Sequence, residues 1–232
     1  MDPSALLQSL HQFYISENQL DLDMNPSGLL GTGAFGEVRQ ASLTRTGTST
    51  TILVAHKSLH FLNMDAAQTL VLRHDERQAI LSEVLKECYT LSKLNRPNIV
   101  GFIGLAVRQR EDGGDEAAGI VMELLDPGSL ELLLYNPRYQ WARTSAGVLE
   151  GSVVLQILQG IYEGLEYLHE QNIIHRDIKP LNILITVTEE PIEGDFDLTT
   201  TIATASPSSS SHRRLVIKEV KLGDLGCAQM VQ

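Results

Sequence analysis

From its first residues the chain places Leu6, Leu7, Leu10, Phe13 and Tyr14 at helical spacing before polar and acidic residues take over. That pattern predicts a short amphipathic lead-in over residues 1–24, a terminal helix docked loosely on the main fold. From Leu29 to Leu59 the pattern changes to strand, glycine-rich turn, strand, polar turn (TRTGTST) and the apolar strand TILVA, so an antiparallel sheet opens the main fold. Helical spacing returns over residues 75–94, with Ile80, Val84, Leu85, Cys88, Leu91 and Leu94 on one face. RPNIV reads as a turn, and VGFIGLAV and GIVMELL, either side of the acidic loop REDGGDEA, read as two more strands. VVLQILQGIYEGLEYLHEQ then predicts a long helix that ends just before NII and HRD.

These elements describe an α+β chain: a small, mostly β lobe with one main helix, followed by a second lobe that begins as helix. Residues 186–213 break the pattern, because acidic residues and TTTIATASPSSSSHRR are too polar to pack, and a disordered insertion is expected there. Composition adds little about the fold, since 43% hydrophobic and 20% charged residues are ordinary globular usage. Charge says more about partners. A formal charge of −11 argues against nucleic acid or an anionic membrane as the main partner, though a local basic patch stays open. The N-terminus has no basic region leading into an apolar stretch, and no segment approaches the roughly 18 apolar residues of a membrane span. Cys88 and Cys227 match no metal-ligand spacing, so reduced thiols are expected in preference to a single disulfide, and with them a cytoplasmic or nuclear location.

Candidate chemistry begins at GTGAFGEV, residues 31–38. Gly31, Thr32, Gly33, Ala34, Phe35 and Gly36 form a turn whose backbone N–H groups can approach a polyphosphate where no Cβ intervenes, and Phe35 at the tip can cover it. A strand follows the turn, whereas a dinucleotide-binding fold would open a helix there. Lys57 ends the apolar run LVAHK, where an ammonium needs a phosphate or carboxylate partner. Glu87 in the following helix is the candidate carboxylate, with Glu83 one turn earlier as its rival. IIHRDIKPLNILI is the most specific stretch. Asp177 is placed to accept a hydroxyl proton, Lys179 to neutralise a transferring phosphoryl group and Asn182 to ligate a metal ion, with His175 and Arg176 as supports. Asp224, after the apolar strand in VKLGDLG, suits a carboxylate bound to Mg²⁺.

GTGAFGEV, VAHK, a helix glutamate, HRDIKPLN and DLG, in that order, resemble the signature set of the eukaryotic protein kinases over roughly residues 28–230. The resemblance implies a β-rich N-lobe over residues 25–125 and the first part of a mostly helical C-lobe over residues 126–232, with ATP and Mg²⁺ as cofactors and proteins as substrates of the complete form. It implies that Met122 is the gatekeeper at the back of the adenine site, that backbone groups from Glu123 to Leu125 bond adenine, and that Val38 and Ala55 lie above the base. GSLELLL is similar to the tyrosine-kinase-like group, and Lys179 within HRDIKPLN is similar to the serine/threonine-specific pattern.

Four departures from the family pattern qualify the resemblance. Lys57 and Glu87 stand 30 positions apart, so an extra loop or helical turn is expected before the helix. Asn182 and Asp224 stand 42 positions apart, with the polar insertion between them. Leu225 stands where phenylalanine is usual, and only Cys227 to Gln232 follow DLG, without an activation segment or APE motif. Two functions are expected on these grounds: a serine/threonine kinase represented by an incomplete domain, or a non-catalytic module that binds nucleotide or a partner covering the exposed second-lobe core.

Overall fold

Side-chain alternation along residues 36–58 gives the first sheet two apolar faces, and the rest of the first lobe packs on one or the other. A computed structural model of the chain describes residues 3–33, 36–45, 47, 50–58, 74–110, 113–144, 146–191 and 213–231. The sheet is built from β3 (Leu29–Gly33), β4 (Gly36–Thr44), β5 (Thr51–Ser58), β6 (Phe102–Gln109) and β7 (Asp115–Glu123). Their antiparallel order runs β6, β7, β5, β4, with β3 paired to the first half of β4. Helix α2 (His74–Leu91) lies on the inner face, where Val84, Leu85, Cys88 and Leu91 join Leu105 and Ile120 in the main core.

The N-terminal segment corrects the expectation of a loosely docked helix. Helix α1 (Pro3–Ser9) and the residue after it bury Leu6 and Leu10 completely in the main core. Strand β1 (Tyr14–Ser16) then pairs in parallel with Leu105–Val107, and β2 (Leu20–Leu22) pairs antiparallel with Ala41–Leu43 on the remaining half of β4. Both outer strands of the sheet are therefore covered by one short stretch, which is possible because the sheet is strongly curled. Ile15, Leu20 and Leu22 close a second core on the outer face with Ala41, Leu43, Val54, Ala106, Ala118 and Val121.

His56 lies in this outer layer, 2% exposed, with neither ring nitrogen hydrogen-bonded among the described residues. A Cβ at Gly119 would come within 2.4 Å of its Nε2, so the glycine makes room for the ring. Burial holds the imidazole pKa below its ordinary value, with a smaller opposing pull from Glu17. The folded chain thus keeps His56 neutral while the unfolded chain takes up a proton below about pH 6.5. Stability contributed by this group is present above that pH and falls as pH drops, with a slope of up to about 1.4 kcal/mol per pH unit. Urea midpoints between pH 7.5 and 5.5 should decline less in His56→Leu than in the wild type; equal declines would show that His56 is not the titrating group.

The second lobe begins with β8 (Pro127–Ser129) and α3 (Leu130–Tyr135), followed by α4 (Gly151–Glu170), the long predicted helix. Val153, Ile157, Gly160, Gly164 and Leu168 form its buried stripe. The glycines permit close approach to β11 (Arg213–Leu222): a Cβ at residue 160 would sit 2.4 Å from Val220 Cβ. Strand β10 (Ile183–Pro191) pairs antiparallel with β11 over its whole length. Thr186–Pro191 and Arg213 therefore belong to strands, which corrects the expected bounds of the polar insertion; residues 192–212 lie outside the described residues. The short strands β9 (Ile173–Ile174) and β12 (Gln229–Met230) pair antiparallel, bringing the residues after DLG beside those before HRD.

Candidate active site

Between the lobes lies a cleft of about 300 Å³. One end is apolar: Leu30, Val38 and Ala55 reach it from the first lobe, Met122 from the end of β7, and Leu132 and Leu184 from the second lobe. Ala55 and Met122 are cross-strand partners on β5 and β7, so a small residue stands beside the larger one that lines the back. Glu123, Leu124 and Leu125 line the connection between lobes. The Glu123 carboxylate itself turns away to accept from Lys221 Nζ at 2.8 and 2.9 Å and from Gly101 N–H at 2.6 Å.

The other end is polar. Lys57 Nζ lies 3.0 Å from both carboxylate oxygens of Glu87 and 2.9 Å from Asp224 Oδ1. Burial alone would depress the ammonium, but the carboxylates of Glu87 and Asp224 outweigh it and hold the Lys57 pKa above its usual value. Glu87 is buried, whereas Glu83 is exposed, so the structure selects Glu87 as the partner. Asp224 adopts φ 55°, a left-handed conformation that lets its carboxylate face the cleft while Leu225 is buried in the main core.

Across the cleft, Asp177 accepts from Lys179 Nζ at 2.7 Å and from Asn182 Nδ2 at 2.9 Å. These donors, Lys179 first, hold its carboxyl below the ordinary carboxylate range. His175 is buried and sits 3.0 Å from the Gly223 carbonyl through Nε2, while the Asp177 N–H points at its Nδ1 at 3.4 Å. Those two contacts assign the proton to Nε2 and tie the HRD turn to the residue before Asp224. Arg176, at φ 66°, donates to the Cys227 carbonyl at 2.6 Å and to Gln229 Oε1 at 2.9 Å, which makes the same link on the other side.

The sequence has counterparts among known proteins: the family model described as the protein kinase domain matches residues 24–232. The chain belongs to the protein kinase family. Similar curated kinases include a dual specificity mitogen-activated protein kinase kinase of Drosophila melanogaster, 32% identical over 177 residues, covering 76% of this chain and 37% of that protein. An L-type lectin-domain containing receptor kinase of Arabidopsis thaliana is 33% identical, covering 74% of this chain and 22% of the relative. A mitogen-activated protein kinase kinase kinase of Pyricularia oryzae is 32% identical, covering 77% of this chain and 17% of the relative. The kinase chain thus spans well under half the length of each of these relatives.

Among the residues expected from the sequence, Gly31, Thr32, Gly36, Val38, Ala55, Lys57, Glu87, Met122, Glu123, Leu125, Asp177, Lys179, Asn182 and Asp224 all line this kinase cleft. Gly33 pairs with Gly36 in the hairpin, and Ala34 and Phe35 lie outside the described residues. A Cβ at Gly31 would meet nothing within 4 Å, so the protein's own packing does not require glycine there and the backbone stays open to whatever fills the cleft.

The donor set fits Mg²⁺. Asn182 directs its amide nitrogen to the Asp177 carbonyl and carboxylate, both at 2.9 Å, which leaves its carboxamide oxygen as the acceptor. That oxygen and the Asp224 carboxylate are two hard donors at the polar end, the small protein share that Mg²⁺ usually takes. The sequence reading missed Lys221. The signal was available, since Lys221 stands between the apolar Val220 and Leu222 and needs a partner to be buried, but nothing local pointed to Glu123.

Proposed function

We propose that the chain is a MgATP-dependent kinase that transfers the γ-phosphoryl group to serine and threonine hydroxyls of proteins. The carrying observation is that Lys57, held by Glu87 and Asp224, faces Asp177, Lys179 and Asn182 across one cleft. The apolar end suits adenine, with Met122 behind it and the backbone of Glu123 to Leu125 at its edge. Lys57 would hold the α- and β-phosphates, and Glu87 fixes the amine. Asn182 and Asp224 would hold Mg²⁺, which would supply positive charge to offset that of the phosphates. Asp177, kept ionised by Lys179 and Asn182, accepts the proton of the attacking hydroxyl, and Lys179 screens the transferring group.

Serine/threonine preference rests on Lys179 within HRDIKPLN. Incubation with radiolabelled ATP and generic protein, followed by phosphoamino-acid separation, should give phosphoserine and phosphothreonine; phosphotyrosine alone would refute the preference. A reducing compartment, cytoplasm or nucleus, is proposed from the unpaired thiols Cys88 and Cys227, and imaging of a tagged chain tests it.

One observation favours the second reading, a module that binds nucleotide and a protein partner without transfer. Leu155, Leu158 and Tyr162 on α4 are 68%, 55% and 62% exposed, an apolar face suited to a partner. ATP binding with no transfer, unchanged by Asp177→Ala, selects that reading.

A further inference from the structure

We propose that residues 3–22 form a clamp that positions helix α2, and through it Glu87, for the nucleotide chemistry; the inference rests on the kinase reading above. Glu87 is carried by α2 and Lys57 by β5, so the pair depends on the placement of a helix relative to a sheet. Helix α1 is the most extensive neighbour of α2 among the named elements, and Leu6 and Leu10 enter the same core as Val84, Leu85, Cys88 and Leu91 of that helix. Tyr14 Oη donates to the Leu7 carbonyl at 3.0 Å, which secures the end of α1.

The rest of the segment is fixed to the sheet. Phe13 meets Phe102 edge to face at 5.4 Å, and β1 pairs with β6. A Cβ at Gly104 would lie 2.5 Å from the Phe13 carbonyl, so the glycine provides the passage the segment uses. Glu17 forms two bonds with Arg108, at 2.6 and 2.8 Å, and Gln19 Nε2 donates to the Thr44 carbonyl at 3.2 Å. Strand β2 ends the run on β4, whose Val38 is the cross-strand neighbour of Lys57. A segment immobilised on β6 and β4 and carrying two buried leucines into the α2 core ties that helix to the strands around Lys57. An α2 displaced from Lys57 would have to leave Leu6 and Leu10 behind, exposing them.

The test compares the full chain with Leu6→Ala/Leu10→Ala and the volume-conserving Leu6→Met/Leu10→Met, measuring calorimetric affinity for MgADP and for adenosine. Adenosine reads the apolar end alone, while ADP also needs Lys57 in place. The alanine pair should lose about tenfold or more in ADP affinity, the worth of one charge-assisted hydrogen bond, with adenosine affinity nearly unchanged. The methionine pair should restore ADP binding. In a Lys57→Met background the alanine pair should cause no further loss of ADP affinity. Equal ADP affinity in the wild type and the alanine pair, or equal losses of ADP and adenosine, overturns the clamp. Failure of the wild type to bind ADP overturns the kinase reading instead. If the alanine pair does not fold, Tyr14→Phe and Arg108→Gln, which each loosen one attachment, must show the same ADP-selective loss, and its absence overturns the proposal.

Discussion

Asp177→Asn should lower phosphate transfer by about 10²- to 10⁴-fold while leaving MgATP affinity nearly unchanged. Asparagine keeps the size and one acceptor oxygen of the side chain but cannot take the hydroxyl proton. Lys179, 2.7 Å away, also loses the carboxylate that orients it, so the variant removes the base and loosens the cation beside it. Asn182 retains its bond to the Asp177 backbone carbonyl, which is why metal and nucleotide binding should survive. Single-turnover transfer and equilibrium binding, measured on the same preparation, separate the two effects. Transfer that persists at the wild-type rate would remove Asp177 from the chemistry and identify the measured activity as a contaminant.

Lys57→Met should weaken MgADP binding by about 10- to 100-fold and also destabilise the fold by about 3–5 kcal/mol, because it strands Glu87, whose side chain is only 3% exposed, without its cation. The pH dependence carries the signature. In the variant, Glu87 is buried without its compensating charge, so it folds protonated with a pKa above its unfolded value. Stability contributed that way is present at low pH and lost as pH rises, so the variant should recover toward wild type in acid. Lys57→Met/Glu87→Leu should regain most of the stability at neutral pH without regaining ADP affinity, since an apolar pair replaces the ionic one. Denaturant midpoints at pH 5 and pH 8 check both statements. A double variant no more stable than Lys57→Met would show that the loss comes from Lys57's bond to Asp224 or from packing.

How much of the site was legible depended on sequence distance. Asp177, Lys179 and Asn182 fall within six residues of one another, and their mutual bonds are made by a single turn, so the stretch HRDIKPLN carries its own geometry. Glu87 was legible only as one of two candidates. Residues 83 and 87 are four apart and share a helix face. Only the axial position of α2 against β5 decides which one reaches Lys57. The pairing of Glu123 with Lys221 spans 98 positions and crosses between lobes, and no local pattern encodes it.

The fold shows the same division. The glycine-rich hairpin, the amphipathic α2 and the long α4 could be read because each spans enough residues for its period to emerge. Strands β1 and β2 have three residues each, too few for alternation to register, so residues 1–24 read as a lead-in although residues 14–22 close both edges of the sheet. Thr186–Pro191 were hidden by composition: TVTEEP looks like solvent-exposed loop, yet Val187 opposes Ile217 in the hairpin and packs on the core.

By itself, the sequence determined the kinase family and the order of its motif residues along the chain, because those properties reside in short contiguous motifs. The tertiary structure decided which glutamate holds Lys57, how the HRD turn is braced by Gly223 and Cys227, and that an N-terminal segment is built into the first lobe. Those outcomes depend on packing between elements far apart in the chain, where burial selects one of several pairings that local propensity leaves equally open.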